Sequence, residues 1–319
     1  MKIGIHLGNN GPAASADSIA RLATEAEALG LDSAWVSDHV TIPTAITSAY
    51  PYGPPGSFSP EQAQNFWEAF AVLAFVAGRT TRLELGTSVI VLPQRPPLLV
   101  AKQWATLDAL SGGRCILGVG AGWMREEFAA LGFGDQFDRR GVATDEAISI
   151  LRAAWAADGP LEHHGQAYDF APVLMQPKPA QPGGLPIWIG GHGRRSIRRA
   201  AELGDGWQPL RIPPDELAGH LGYLREQLAR YGRPETAVTI SLGVLVHPPG
   251  TGPADGGAAW ELAGDPDACA EKLRRYQALG VEHLMLSCAR GLSASDMLEA
   301  YAFVANDVRP RLGAVGEAH

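Results

Sequence analysis

Cysteine is scarce in this 319-residue chain: Cys115, Cys269 and Cys288 are the whole complement, an odd number with no metal-ligand spacing. That argues against a disulfide framework or a cysteine-based zinc site and leaves buried structural thiols as the plain reading. Long apolar runs are missing too. None reaches the ~18–20 residues that span a bilayer, so no membrane association is expected. Positive charge is in deficit, with 26 Lys and Arg against 34 Asp and Glu, and a net charge of −8 argues against a nucleic-acid surface. The opening residues MKIGIHLG run straight into a strand pattern without a signal-peptide signature, from which a cytoplasmic protein is expected. HExxH and Ser-His-Asp spacings are absent as well, which weighs against zinc-dependent and triad hydrolysis.

What is present is one repeating unit. Leu83–Leu92 and Arg114–Val119 are short apolar runs bounded by turn residues, the pattern of buried strands. Between them Leu98, Ala101, Trp104, Ala105 and Leu107 recur at helical spacing, and Ser111-Gly112-Gly113 stops the helix. Further strands are expected at Lys2–Gly8, Leu31–Ser37, Ile187–Gly190, Gly206–Leu210, Val238–His247 and Val281–Ser287. Helical patterns follow each, among them Asn65–Gly78, Gly141–Ala157, Arg194–Leu203, Asp215–Tyr231, Pro266–Leu279 and Ser293–Val308. Eight consecutive βα units predict a TIM (β/α)8 barrel over residues 1–319, the alternative being an open doubly wound sheet. Insertions fall at about 40–64, 159–184 and 248–257. The first is long enough to be a binding loop, and the second holds a hairpin pattern about Gly165.

Active sites of such barrels lie at the C-terminal ends of the strands. That rule selects Asp38 and His39 after the second strand, Ser88 and Val89 late in the third, and Gly120 to Trp123 after the fourth. It adds Gly190 to Arg195 after the fifth, Trp207 in the sixth and Ser287 to Arg290 after the eighth. The set is poor in paired carboxylates and rich in Gly, Trp and small hydroxyls, which suits a flat aromatic cofactor. In IGGHGRRSIRR, Gly190, Gly191, His192 and Gly193 precede a helix whose first turn carries Arg194 and Arg195. Backbone N–H groups at such a start bind anions, and arginines there oppose the helix dipole unless an anion is bound. Arg198 and Arg199 repeat the charge one turn on. His39 is a catalytic or ring-contacting candidate beside the simpler reading of a backbone hydrogen bond. Trp123 and Trp207 are walls of a site or parts of the core. Glu126 and Glu127 favour a helix start, with Glu126 a minor candidate for a cofactor contact.

With these residues assembled, the chain resembles the luciferase-like monooxygenase superfamily, in its branch that uses the deazaflavin coenzyme F420. The resemblance rests on WVSDHV (Trp35–Val40), on the stretch from Leu83 to Phe128, on RRGVATDEAISILRAAW and on PIWIGGHGRRSIRRAAELGDGW (Pro186–Trp207). It implies an F420-dependent oxidoreductase passing hydride to or from a small organic substrate, with FMN and oxygen, or flavin binding without catalysis, as alternatives. It further implies that Asp38 and His39 meet the ring region, with His39 a proton carrier. Ser88–Val89 would be a non-prolyl cis peptide behind the ring, and Gly190 to Arg195 would form the phosphate loop. Where one sugar-phosphate dehydrogenase branch has a glutamate after the fourth strand, this chain has Trp123. Tyr50 and Tyr52 in the long loop, with Trp123 and Trp207, are expected at the substrate. Relatives imply a homodimer.

Overall fold

A computed structural model describes residues 1–11, 14–51, 53, 58 and 65–313. In chain order the regular elements begin with β1 (Lys2–His6), α1 (Ala16–Ala28), β2 (Ser33–Val36), α2 (Ala69–Ala77), β3 (Glu84–Thr87) and β4 (Ile90–Val91). Next come α3 (Pro97–Ser111), β5 (Cys115–Gly120), α4 (Arg125–Ala130), α5 (Arg140–Ala156), β6 (Leu161–His164), β7 (Asp169–Val173) and β8 (Ile187–Gly190). The chain continues through α6 (Arg194–Leu203), β9 (Gly206–Gln208), α7 (Pro214–Arg230), β10 (Thr239–Val246) and β11 (Glu261–Leu262). It closes with α8 (Pro266–Ala278), β12 (His283–Ser287) and α9 (Ala294–Phe303).

The parallel order β1-β2-β3-β5-β8-β9-β10-β12 returns to β1, so eight strands close a TIM barrel with the helices outside. Strand alternation assigns the two faces. Ile3, Ile5, Ala34, Val36, Leu284 and Leu286 point outward into the layer beneath the helices. Inside the barrel, Trp35 and Trp188 stack at 5.2 Å, and His283 meets each ring edge-on. Space for this pair comes from glycine: a Cβ on Gly86 would stand 2.3 Å from the Trp35 ring, and one on Gly206 2.4 Å from Trp188. Ser33 and Ser241 hydrogen-bond the two nitrogens of His283 at 2.8 and 3.0 Å, and Trp35 Nε1 donates to Ser33. The plug is therefore polar at its centre, with Trp35 and both nitrogens of His283 hydrogen-bonded, as burial requires.

Several elements differ from the sequence reading in detail. The expected strand Leu83–Leu92 is broken into β3 and β4 by a cis peptide between Ser88 and Val89. The helix expected from Asn65 begins at Ala69, because the Glu68 carboxylate caps it by accepting the Ala71 N–H. Phe66 is thus a loop residue and not part of a helical stripe. The hairpin about Gly165 forms as β6 and β7 and is tied down by Glu146, which accepts the N–H groups of Gln166, Ala167 and Tyr168. After the 248–257 loop, β11 adds a short strand beside β10 that the sequence reading lacks. The last helix gives way after Phe303 to a π turn at Val304–Val308.

Candidate active site

The C-terminal strand ends surround a cleft of about 470 Å³, within the usual range for small-molecule sites. Its floor is built around Val89. Gly120 ends β5 and Gly190 ends β8, and a Cβ on either would come within 2.6 Å of a Val89 methyl. Glycine at both positions leaves room for the Val89 side chain between the strand ends. Ser88 also lines the floor.

Beside the floor, Asp38 and His39 follow β2 and take different partners. Asp38 is buried, with both oxygens on Arg95 at 2.7 and 2.8 Å and one of them also on the Val91 N–H at 2.9 Å. This bidentate pair holds the turn after β4 against the end of β2. His39 turns the other way. Its Nδ1 lies 2.8 Å from Oε2 of Glu127 in the first turn of α4, while Nε2 has no hydrogen-bond partner among the described residues. The Glu127 side chain is 1% exposed, and its Oε1 accepts the N–H groups of Val40 at 2.8 Å and Thr41 at 3.3 Å. Burial alone would raise this carboxyl, but the hydrogen bond and charge of His39 and the two backbone N–H groups hold it below its usual value.

An aromatic box stands over His39. Phe58 and Phe66 lie 5.1 and 5.3 Å from its ring, and Trp123 meets it edge-on at 6.2 Å. Tyr50 packs on both Phe58 and Trp123, and Arg290 sits over the Phe58 face at 5.2 Å. Ile42, Ile46 and Met124 back this box.

The far rim is basic. Arg195 and Ser196, in the first turn of α6, line the cleft together with Gly191 and Arg140. The α6 N-terminus has no side-chain cap, so its first N–H groups are open to an anion. Arg140 donates to the carbonyls of Gly122 and Phe137. Burial pushes its guanidinium below the ordinary value; Asp138 opposes this, and Arg125 and Arg195 add to it.

The structure thus brings together Asp38, His39, Tyr50, Ser88, Val89, Gly120, Trp123, Gly190, Gly191 and Arg195. Other expected residues lie elsewhere. Trp207 is fully buried, its Nε1 donating to the Gly191 carbonyl, so it braces the glycine turn from the core and forms no substrate wall. His192 stacks on His220 of α7, Gly193 is exposed, and Arg194 lies over Tyr223. Glu126 faces the long loop instead of the floor, bonded to Thr47 and Ser48. Arg199 touches the cleft, but Asp145 and the Gly141 carbonyl hold its guanidinium. Tyr52 lies outside the described residues. Sequence reasoning missed Glu127, Arg95, Arg140 and Phe66. Glu127 was hidden by the simpler reading of an acidic first helical turn, and nothing in the spacing marks Arg95 or Arg140.

The profile of the family described as luciferase-like monooxygenase matches residues 1–251. Two Mycobacterium tuberculosis relatives are 41% and 30% identical, and the chain spans 66% and 56% of their length. The second is a phthiodiolone/phenolphthiodiolone dimycocerosates ketoreductase, matched over 220 residues, 67% of this chain. Among solved structures, an F420-dependent secondary alcohol dehydrogenase in complex with an F420-acetone adduct superposes with a TM-score of 0.78 at 18% identity, covering 98% of this chain and 99% of that one. The monooxygenase RslO1 from Streptomyces bottropensis gives 0.79 at 21%, covering 98% and 100%. Barrel, cleft and sequence profile agree: the chain belongs to the luciferase-like monooxygenase family.

Proposed function

We propose that this protein is an F420-dependent oxidoreductase that interconverts a small alcohol and its carbonyl compound. The observation that carries the reading is His39: an imidazole at a strand end, one nitrogen fixed by a buried carboxylate and the other without a hydrogen-bond partner among the described residues, beneath an aromatic box. Hydride transfer to or from a carbonyl carbon needs one proton at oxygen, and a histidine at that place moves it. The residues fit a flat cofactor with an anionic tail. Gly120 and Gly190 add no side chain to the floor beside Val89, while Gly191, Arg195, Ser196 and the open start of α6 suit a phosphate. Bound there, the deazaflavin would supply hydride chemistry. In this reading Asp38 holds the floor through Arg95 and Val91 and is a supporting residue more than a proton carrier. Tyr50, Phe58, Phe66 and Trp123 would enclose the substrate and keep water from it.

Fluorescence titration of the purified protein with F420 and FMN tests the cofactor. The expected result is tighter binding of F420, and equal or stronger binding of FMN sinks the assignment. A second reading, oxygenation by reduced FMN, has the description of the matched family in its favour. Oxygen consumption with reduced FMN and substrate separates it from hydride transfer, which consumes none.

A further inference from the structure

We propose that Glu127 is the positioning residue that sets which nitrogen of His39 carries the proton, and that it thereby makes Nε2 the atom that exchanges a proton with substrate. The inference rests on the alcohol–carbonyl reading for its catalytic consequence, but its structural half stands on geometry alone. Glu127 lies 88 residues from His39 in sequence, and its two oxygens divide their work. Oε1 accepts two backbone N–H groups, from Val40 and Thr41, and Oε2 lies 2.8 Å from Nδ1. An ionised carboxylate has only acceptor sites, so Nδ1 must be the donor. The neutral ring is then protonated at Nδ1 and bare at Nε2. Asp38 next door does not compete, since Arg95 and Val91 occupy both of its oxygens. Among the described residues, Arg290 meets this corner over the face of Phe58.

In the oxidation direction the alcohol O–H breaks with its proton going to Nε2. The carbinol C–H would break with its electron pair, the bound cofactor supplying the hydride acceptor, and C=O would form. The imidazolium so made keeps its Nδ1–H on a full negative charge that is already buried. Reduction runs the same bonds backwards, with Nε2–H giving its proton to the carbonyl oxygen. Glu127 does not line the cleft, and its effect on the reaction passes through His39.

This arrangement makes Glu127→Gln a switch of tautomer and not a simple deletion. The amide oxygen takes the Oε1 place, because two backbone N–H groups face it. Its NH2 group then faces Nδ1, which must accept, and the ring proton moves to Nε2. Long-range 1H–15N spectra of cofactor-free, histidine-labelled protein read this directly, with His39→Ala assigning the signals. Expected are a protonated Nδ1 and bare Nε2 for the neutral ring of the wild type, and the reverse in Glu127→Gln. A wild-type ring protonated at Nε2, or a variant spectrum unchanged from wild type, overturns the proposal. With F420 and substrate, kcat of the variant should fall by about 10²–10⁴ while KM changes little. A rise in KM at constant kcat would mean that Glu127 merely anchors the loop, and that also overturns it. Should Glu127→Gln fail to fold, the wild-type spectrum still decides the tautomer. Should the wild type turn over no alcohol or carbonyl compound, the functional reading fails while the spectra still judge the role of Glu127.

Discussion

At the scale of single residues, the site is a set of close fits with little slack. Val89 is held between Gly120 and Gly190, and the space is filled to within a methyl group. Gly190→Ala would place its Cβ 2.6 Å from Val89 Cγ1, well inside contact distance. Overpacking of this kind costs about 1–3 kcal/mol. The expected outcome is a lower thermal midpoint and weaker cofactor binding, with Val89→Ala in the same chain restoring both. A Gly190→Ala protein with wild-type midpoint and affinity would show that the floor yields. The positions of Val89, Gly120 and Gly190 were legible in the sequence as strand ends; that they touch was not, because contact depends on how neighbouring strands are staggered. His39 and Trp123 were legible in the same way. Glu127 was not, since an acid in a first helical turn is ordinary on its own and becomes singular only when barrel closure sets it against β2. Arg195 stood out as one of four arginines, yet sequence could not show that Tyr223 takes Arg194 and Asp145 takes Arg199.

At the scale of elements, α4 serves as a clasp for the long loop that follows β2. Its first turn carries two adjacent carboxylates that grip opposite ends of one segment: Glu127 holds residues 39–41, and Glu126 holds Thr47 and Ser48 through both backbone and hydroxyl groups. Burial works against ionisation of Glu126, but the hydroxyls of Thr47 and Ser48 and the Thr47 N–H outweigh it and bring the carboxyl down to about 2. A depressed carboxylate gives its stabilisation above its unfolded value near 4.5 and loses it as pH falls through the folded value, so the Glu126 grip survives mild acid. Removing it is another matter. Glu126→Ala should raise amide hydrogen exchange at Thr47 and Ser48 by roughly ten- to a hundredfold, the worth of one or two hydrogen bonds to a charged group. Unchanged exchange at those two amides would place the anchoring elsewhere. The eight barrel strands and their helices were legible, because eight apolar runs and their intervening helical stripes repeat, whereas the two-residue β11 was too short to leave such a pattern. Element ends were less so: Glu68 starts α2 four residues later than its apolar pattern implies, and the Ser88–Val89 peptide divides a strand whose composition is continuous.

At the scale of the whole molecule, the barrel axis is closed by Trp35, Trp188 and His283. Burial lowers His283 from 6.5 to about 3. An unfolded chain binds that proton from pH 6.5 downward and the native one does not, so stability is complete above pH 6.5 and declines as pH falls towards 3. The slope from this one group approaches about 1.4 kcal/mol per pH unit. Urea unfolding at pH 7.5, 6 and 5 measures it, and His283→Asn should flatten the acid side of the curve. Equal slopes in the two proteins would assign the loss to other groups. His6, brought down to about 4 by burial, contributes in the same sense. Among the described residues, openings lie on both sides of this plug. Beyond the cleft around His39, a cavity of about 730 Å³ opens among the N-terminal strand ends and is lined by Lys2, Glu84, Gln181 and Trp188. A compound screen scored by thermal shift would count ligands of either opening alike, yet each has its own intrinsic reporter. Quenching of Trp123 would mark occupants of the His39 end and quenching of Trp188 those of the opposite end, so loss of the quench in Trp123→Phe or in Trp188→Phe would sort such hits before any inhibitor is sought.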